Sequence, residues 1–262
     1  MAESTRAPCV TLTTDFATAD GYVGAMKGVL AARAPGVPLV DITHEIPRHD
    51  VAAAAFALAQ AAPHFPPGTV HVAVVDPGVG GRRPAVVIDA EPHLFVGPDN
   101  GLFDLAVRGR RRVYSIEAEG FRRRELSSTF HGRDLFAPAA AALATGALPS
   151  QAGPEVELEG ALEGAAKHAV LHVDRFGNLI TAIPRERVPA GATVRVEGRT
   201  APLVSTYSDV GRGELLAYIG SADTLEIAAR EASAAALLGA DRGTPVHIEA
   251  PRADTIPDEP AT

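Results

Sequence analysis

One cysteine in 262 residues, Cys9, excludes an internal disulfide and any zinc cluster built on thiolates. Basic charge is also scarce: 24 Lys and Arg stand against 32 Asp and Glu, for a net charge of −8. Phosphate contacts need a basic face, so nucleic acid is not expected as a partner. The arginine runs at Arg108–Arg112 and Arg122–Arg124 read as solvated surface. The opening "MAESTRAPC" has no apolar signal core, and no stretch approaches a membrane span, so a cytoplasmic chain without a membrane partner is expected. Several catalytic signatures are missing too. "DPGVGGRR" has neither the Lys-Ser/Thr of a P-loop nor the GxGxxG pattern, and no GxSxG elbow occurs. "HxH" and "DxD" ligand pairs are absent, which weighs against a two-metal hydrolase. No internal repeat is found.

What remains is a globular composition, 46% hydrophobic and 21% charged, long enough for two modest domains. The first part alternates strand and helix signals. "CVTLTTDF" is a strand ending at an acid, and "GYVGAMKGVLAARAPG" has helical apolar spacing closed by Pro-Gly. "VPLVDIT" is a strand, and Asp50 can cap the alanine-rich helix "VAAAAFALAQAA". "TVHVAVV" is almost continuously apolar, as in a strand covered on both faces. "PAVVIDA" and "HLFVGPDNG" add strands, and "DLFAPAAAALATG" adds a helix. An α/β domain over 8–150 with a mostly parallel or mixed sheet follows. Residues 151–167, rich in Pro, Gly and Glu, read as a linker. Short strands separated by turns then suggest a smaller antiparallel β-barrel or sandwich domain over 168–250, with one short helix in "EASAAALLG". The tail 251–262 is expected to be disordered.

Polar residues recur at strand ends in the first domain: Asp15, Asp41 with His44, Asp76 with Arg83, Asp99 with Asn100, and His131 with Arg133 and Asp134. A parallel sheet brings several such ends to one edge. Singly, each reads best as a turn or cap former; the recurrence suggests a proton-handling group, with carboxylate, imidazole and guanidinium side chains together.

Six segments in order carry a resemblance: "TLTTDFATADGYVGAMKGVL", "VDITHEIPRHDV", "FPPGTVHVAVVDPGVG", "FVGPDNGLF", "STFHGRDLFAPAAAALATG" and "DRFGNLIT". From about residue 10 to about 250 the chain resembles the S-adenosyl-L-methionine hydrolases, or hydroxide adenosyltransferases, relatives of fluorinase and chlorinase. The resemblance implies an α/β domain followed by a small β-barrel, and a homotrimer with active sites at subunit interfaces. It implies attack of water at the ribose 5′ carbon, with methionine leaving and adenosine forming. No metal or redox cofactor is expected, because a sulfonium is already a good leaving group.

By the same resemblance the catalytic group falls on Asp76, Arg83 and His131. Asp15 matches the acid that accepts the ribose hydroxyls. Asp174 matches the contact to the methionine ammonium, Phe176 the aromatic near the base, and Asn178 the amide that reads the adenine edge. Ser221 matches a contact to the methionine carboxylate, and Tyr207 is a candidate for the adenine pocket. Asn178 in "FGN" also reads simply as a hairpin turn residue. His44 and Glu45 read as organisers of the loop before Pro47, and His49 as a solvated loop residue.

Two alternatives are a chlorinase-like halogenase and a non-catalytic binder of S-adenosylmethionine or adenosine. Where the halogenases read Tyr-Pro-Ala-Thr-Gly, this chain reads Asp76-Pro77-Gly78-Val79-Gly80, and Gly132 replaces the halide-holding serine. An acid at 76 repels a halide and suits water. A binder has no need of the Asp-Arg-His group.

Overall fold

The computed structural model describes residues 7–162 and 168–250. The chain divides into two compact units, Met1–Glu163 and Gly164–Thr262. The expected disordered tail and residues 163–167 of the expected linker lie outside the described residues.

The first unit runs β1 (Val10–Thr14), α1 (Tyr22–Arg33), β2 (Leu39–Thr43), α2 (Val51–Ala61), β3 (Val70–Val74), β4 (Ala85–Ala90), β5 (His93–Pro98), β6 (Arg112–Ser115) and α3 (Ala137–Ala144). Asp50 caps α2 as its position suggests: its Oδ1 accepts from the Ala53 amide at 2.8 Å. The strand β6 starts inside an arginine run read as surface, because Val113 and Tyr114 behind Arg112 are buried. The sheet order is β2-β1-β3-β5-β4-β6. The pairs β1–β2, β1–β3 and β3–β5 are parallel, while β4 pairs antiparallel with both β5 and β6. The sheet is therefore mixed.

Alternating strand residues bury two separate cores. Val10, Leu12, Val70, Val72 and Val74 pack with Met26 and Leu30 of α1 and with the alanines of α3. Ala73, Val75, Val86 and Ile88 pack on the opposite side with Ala53, Ala54 and Leu58 of α2. Burial on both faces explains why β1 is apolar or Thr along its whole length and why β3 is apolar but for the buried His71. The second part of the Pro-Gly-Glu stretch lies along this unit. Val156 N donates to Val113 O at 2.9 Å, and the Asp99 carboxylate accepts from the amides of Glu159 and Gly160.

The second unit contains β7 (Val170–Val173), β8 (Leu179–Pro184), β9 (Thr193–Val196), β10 (Arg199–Pro202), β11 (Leu215–Ile219), β12 (Thr224–Ala229), α4 (Ala234–Leu238) and β13 (His247–Glu249). The strands form two antiparallel sheets, β10-β9-β13 and β11-β12-β8-β7. Isolated bridges, Leu203–Ala217 and Ala169–Pro245, link the outer edges of the two sheets. The strands thus follow one another as in a barrel, with two weak seams instead of continuous ladders. Leu179, Ile183, Val194, Val196, Leu225, Ile227 and Val246 fill the space between. Among the described residues no helix is long and apolar enough to cross a membrane.

Candidate active site

The parallel strands β1, β2, β3 and β5 share a direction, so their C-terminal ends deliver Asp15, His44, Asp76 and Asn100 to one edge of the sheet. Crevices outside that edge are where such sheets bind ligands. After β3 the chain turns tightly: Val79 N donates to Asp76 O and Gly81 N to Gly78 O. Gly80 has φ +74°, and a Cβ there would stand 2.4 Å from Ser128 O, so the loop reaches the 127–131 segment only through glycine.

This turn brings Arg83 back onto Asp76. Arg83 Nε donates to Asp76 Oδ1 at 2.9 Å and Nη2 donates to Asp76 Oδ2, a bidentate pair. The same Nη2 lies 2.8 Å from His131 Nδ1. A guanidinium can only donate, so Nδ1 accepts and the proton of the neutral imidazole sits on Nε2. Burial first, and the Arg83 charge second, hold the His131 pKa below 6.5 against the opposing pull of Asp76 and Asp134. The side chains of Asp76 and Arg83 are 5% and 12% exposed. Arg82, the other arginine of the pair, is exposed.

His131 immediately precedes a π turn, Gly132–Phe136, that leads into α3. Such turns often mark functional sites. The helix expected from residue 134 therefore begins with this wider winding. It places the Phe136 ring 5.3 Å beneath the Arg83 guanidinium. Asp134, 1% exposed, anchors the turn through Arg133, Arg123 and the Ser127 amide. Burial alone would raise its carboxyl, but Arg133 and Ser127 outweigh it and hold the pKa at about 2. Asn100 Nδ2 donates to Val75 O at 2.9 Å, fixing the strand end next to Asp76.

Asp15 is half-buried, and its Oδ2 accepts from the His49 amide at 2.9 Å. His49, expected to be merely solvated, has φ +65° and so directs its amide at Asp15. His44 does organise its loop, but as a buried group. Its Nδ1 lies 2.8 Å from Thr14 Oγ1, and Nε2 lies 3.1 Å from Asp41, which also pairs with Lys27. Phe16, Tyr22 and Phe130 make an aromatic cluster beside these loops, with ring centroids 5.2–6.1 Å apart.

In the second unit, Asp174, Phe176 and Asn178 occupy the turn between β7 and β8. Asp174 Oδ1 accepts from the amides of Phe176 and Asn178, and Oδ2 accepts from Asn178 Nδ2 at 2.8 Å. The hairpin reading of Asn178 is thus what its contacts show, while the Phe176 ring is 77% exposed. Gly177 has φ +82° and a Cβ there would meet Ser233 Oγ at 2.0 Å. Ser221 is exposed after Gly220, and the Tyr207 hydroxyl lies 3.0 Å from that of Tyr218. Tyr218 in turn donates to buried Glu226. Neither Tyr218 nor Glu226 emerges from the sequence reading, although a lone acid in the apolar strand "TLEIAA" is a visible signal. Among the described residues no three His, Cys, Asp or Glu side chains gather as a metal site.

Comparison with known proteins agrees with this architecture. Models of the SAM hydroxide adenosyltransferase N-terminal and C-terminal domains match residues 10–153 and 168–247. An (R)-S-adenosyl-L-methionine hydrolase of Thermus thermophilus is 44% identical over 249 residues, covering 89% of this chain and 96% of its own. A structure from Thermotoga maritima, described as an uncharacterized conserved protein, superposes with TM-score 0.82 at 33% identity over 92% of this chain and 100% of its own. A fluorinase of Actinoplanes sp. is more distant, 25% identical over 273 residues, 84% of this chain and 90% of its own. The chain belongs to the SAM hydroxide adenosyltransferase family.

Proposed function

We propose that this protein hydrolyses S-adenosyl-L-methionine to adenosine and L-methionine by attack of water at the ribose 5′ carbon. The observation that carries this reading is the hydrogen-bonded group Asp76–Arg83–His131 at the ligand-binding edge of the sheet. The activity named for the Thermus thermophilus relative supports it. Asp76 orients the water and takes its proton. Arg83 holds both Asp76 oxygens in place and stabilises the developing hydroxide. His131, neutral with its proton on Nε2, assists as a donor to the oxygen. The sulfonium is a good leaving group, so alignment with the C–S bond matters more than strong activation. No metal or other cofactor enters the reaction.

Asp15 accepts the ribose hydroxyls. Asp174 takes the methionine ammonium, Ser221 its carboxylate, and Phe176, Asn178 and Tyr207 the adenine. Ala222 follows Ser221 where halogenases carry an arginine, so the carboxylate is gripped without that charge. The functional assembly is a cytoplasmic homotrimer with active sites at subunit interfaces. A halide has no place beside Asp76.

The test is to incubate purified protein with S-adenosylmethionine, alone, with excess chloride and with a chelator, and to quantify products. Adenosine with equimolar methionine, unchanged by either addition, is expected. A 5′-halo-nucleoside would mean a halogenase, and bound but unconsumed substrate would mean a sensor.

A further inference from the structure

Glu226 is 6% exposed on a strand that is otherwise apolar or Thr. Its cross-strand partner is Tyr218. The Tyr218 hydroxyl donates to Glu226 Oε2, a bond that favours the ionised carboxylate against burial. Glu226 also lies directly against the turn that carries Ser221, since a Cβ on Gly220 would stand 1.9 Å from Oε1. The chain of contacts continues outward, because the Tyr207 hydroxyl is 3.0 Å from that of Tyr218.

A phenol carries a single proton. Tyr218 commits its proton to Glu226, so the contact between the two tyrosines must use the proton of Tyr207. The Tyr207 oxygen is then left with lone pairs alone. Tyr207 is 37% exposed, so that oxygen stands where a ligand can reach it.

We propose that Glu226, acting through Tyr218, is a positioning residue that leaves the Tyr207 hydroxyl only an acceptor towards a ligand, so that it selects an N–H group of the substrate. This rests on the hydrolase reading above. S-adenosylmethionine offers two such groups, the exocyclic amine of the purine and the α-ammonium. Both are N–H donors, and analogues tell them apart. An unpaired acceptor facing a carbonyl or a methylene forfeits a hydrogen bond, a factor of about ten in binding.

The experiment measures KM and kcat for S-adenosylmethionine, its 6-oxo analogue and its analogue lacking the α-amino group. The proteins are the wild type, Tyr207→Phe, Tyr218→Phe and Glu226→Gln. Asp174 and Asn178 also bind these two groups in the hydrolase reading, so the wild type should prefer the parent over both analogues, with Tyr207 supplying roughly tenfold in KM for the one group it reads. Tyr207→Phe should erase that tenfold part for one analogue alone, which identifies the group that Tyr207 reads. Tyr218→Phe keeps the Tyr207 hydroxyl but frees its proton, and should erase the preference as well. Glu226→Gln, whose amide can turn its NH2 towards Tyr218 and leave the phenol proton to Tyr207, should weaken the preference without leaving a buried carboxylate unpaired. Wild-type preference in both Tyr218→Phe and Glu226→Gln would overturn the proposal, as would an equal rise in KM for all three compounds in Tyr207→Phe. A wild type that consumes no parent compound would defeat the hydrolase reading instead, and the same preferences would then be read as Kd by calorimetry.

Discussion

In the first unit, Asp76 and Arg83 come from one loop and His131 from a helix start 48 positions beyond Arg83, yet hydrogen bonds join all three. In the second unit, Asp174, Phe176 and Asn178 occupy a single turn and bond mainly to one another. The first group is partly buried and fixed by tertiary structure, down to the Phe136 ring under the guanidinium. The second is local and opens outward, with Phe176 largely exposed. Groups meant to handle a proton need a fixed geometry and little competing water. Groups meant to grip a large substrate must remain reachable. The contrast predicts loss of turnover from the first unit and loss of affinity from the second.

The largest effect should come from Asp76→Ala. If Asp76 is the proton acceptor proposed above, its removal should lower kcat about a thousandfold, with substrate binding by calorimetry little changed. Undiminished turnover would refute the assignment of the base.

Arg83→Ala should come next, through stability. It leaves the Asp76 carboxylate, 5% exposed, without its partner, which costs about 3 kcal/mol. In the second unit, Arg185 pairs with Asp223 at 61% exposure on both sides, and Arg185→Ala should cost less than about 1 kcal/mol. Urea titration of the two variants compares them directly.

Acid should separate the units as well. Burial holds the pKa of His71 at about 3, below its ordinary 6.5, with the neighbouring His93 adding to the shift. A depressed folded-state pKa contributes stability above the unfolded value, lost as pH falls from about 6.5 towards about 3. His93 and His131 in the same unit shift in the same direction, while Asp89, raised by burial, opposes them. In the second unit His172 is lowered by burial, but Glu226 is raised by burial and by Asp174. A raised carboxyl adds stability as pH falls through its folded-state pKa, so it offsets His172. Between pH 7 and pH 5 the first unit should lose about 1–2 kcal/mol, measured by denaturation with probes in each unit. Replacing His71 by Gln should flatten that dependence.

The smallest effect on stability is expected for Phe176→Ala. At 77% exposure the ring adds little to the fold, so unfolding free energy should move by less than about 0.5 kcal/mol. KM for S-adenosylmethionine should nevertheless rise.

Much of this was legible in the sequence because the signals were local. The periods of α1 and α2, the Asp50 cap and the apolar run of β3 all lie where spacing and turn residues place them. Asp76 and Arg83 could be paired across their glycine turn from the resemblance, and the bidentate contact gives the physical reason for that spacing. Features that depend on distant residues stayed hidden. The π turn at Gly132–Phe136 looks like ordinary helix until Phe136 is seen beneath Arg83. β6 is masked by its arginines, and Glu226 acquires meaning only opposite Tyr218 across the β11–β12 ladder. His44 reads as a loop residue because Thr14 and Asp41, which hold it, come from different strands.

The most direct measurement of the central claim is the fate of the attacking oxygen. The purified protein would be incubated with S-adenosyl-L-methionine in water enriched in oxygen-18, and the nucleoside analysed by mass spectrometry. Attack of water at the ribose 5′ carbon predicts adenosine carrying the label in its 5′-hydroxyl, released in step with methionine. Unlabelled adenosine, or a nucleoside that still bears sulfur at the 5′ carbon, would contradict it.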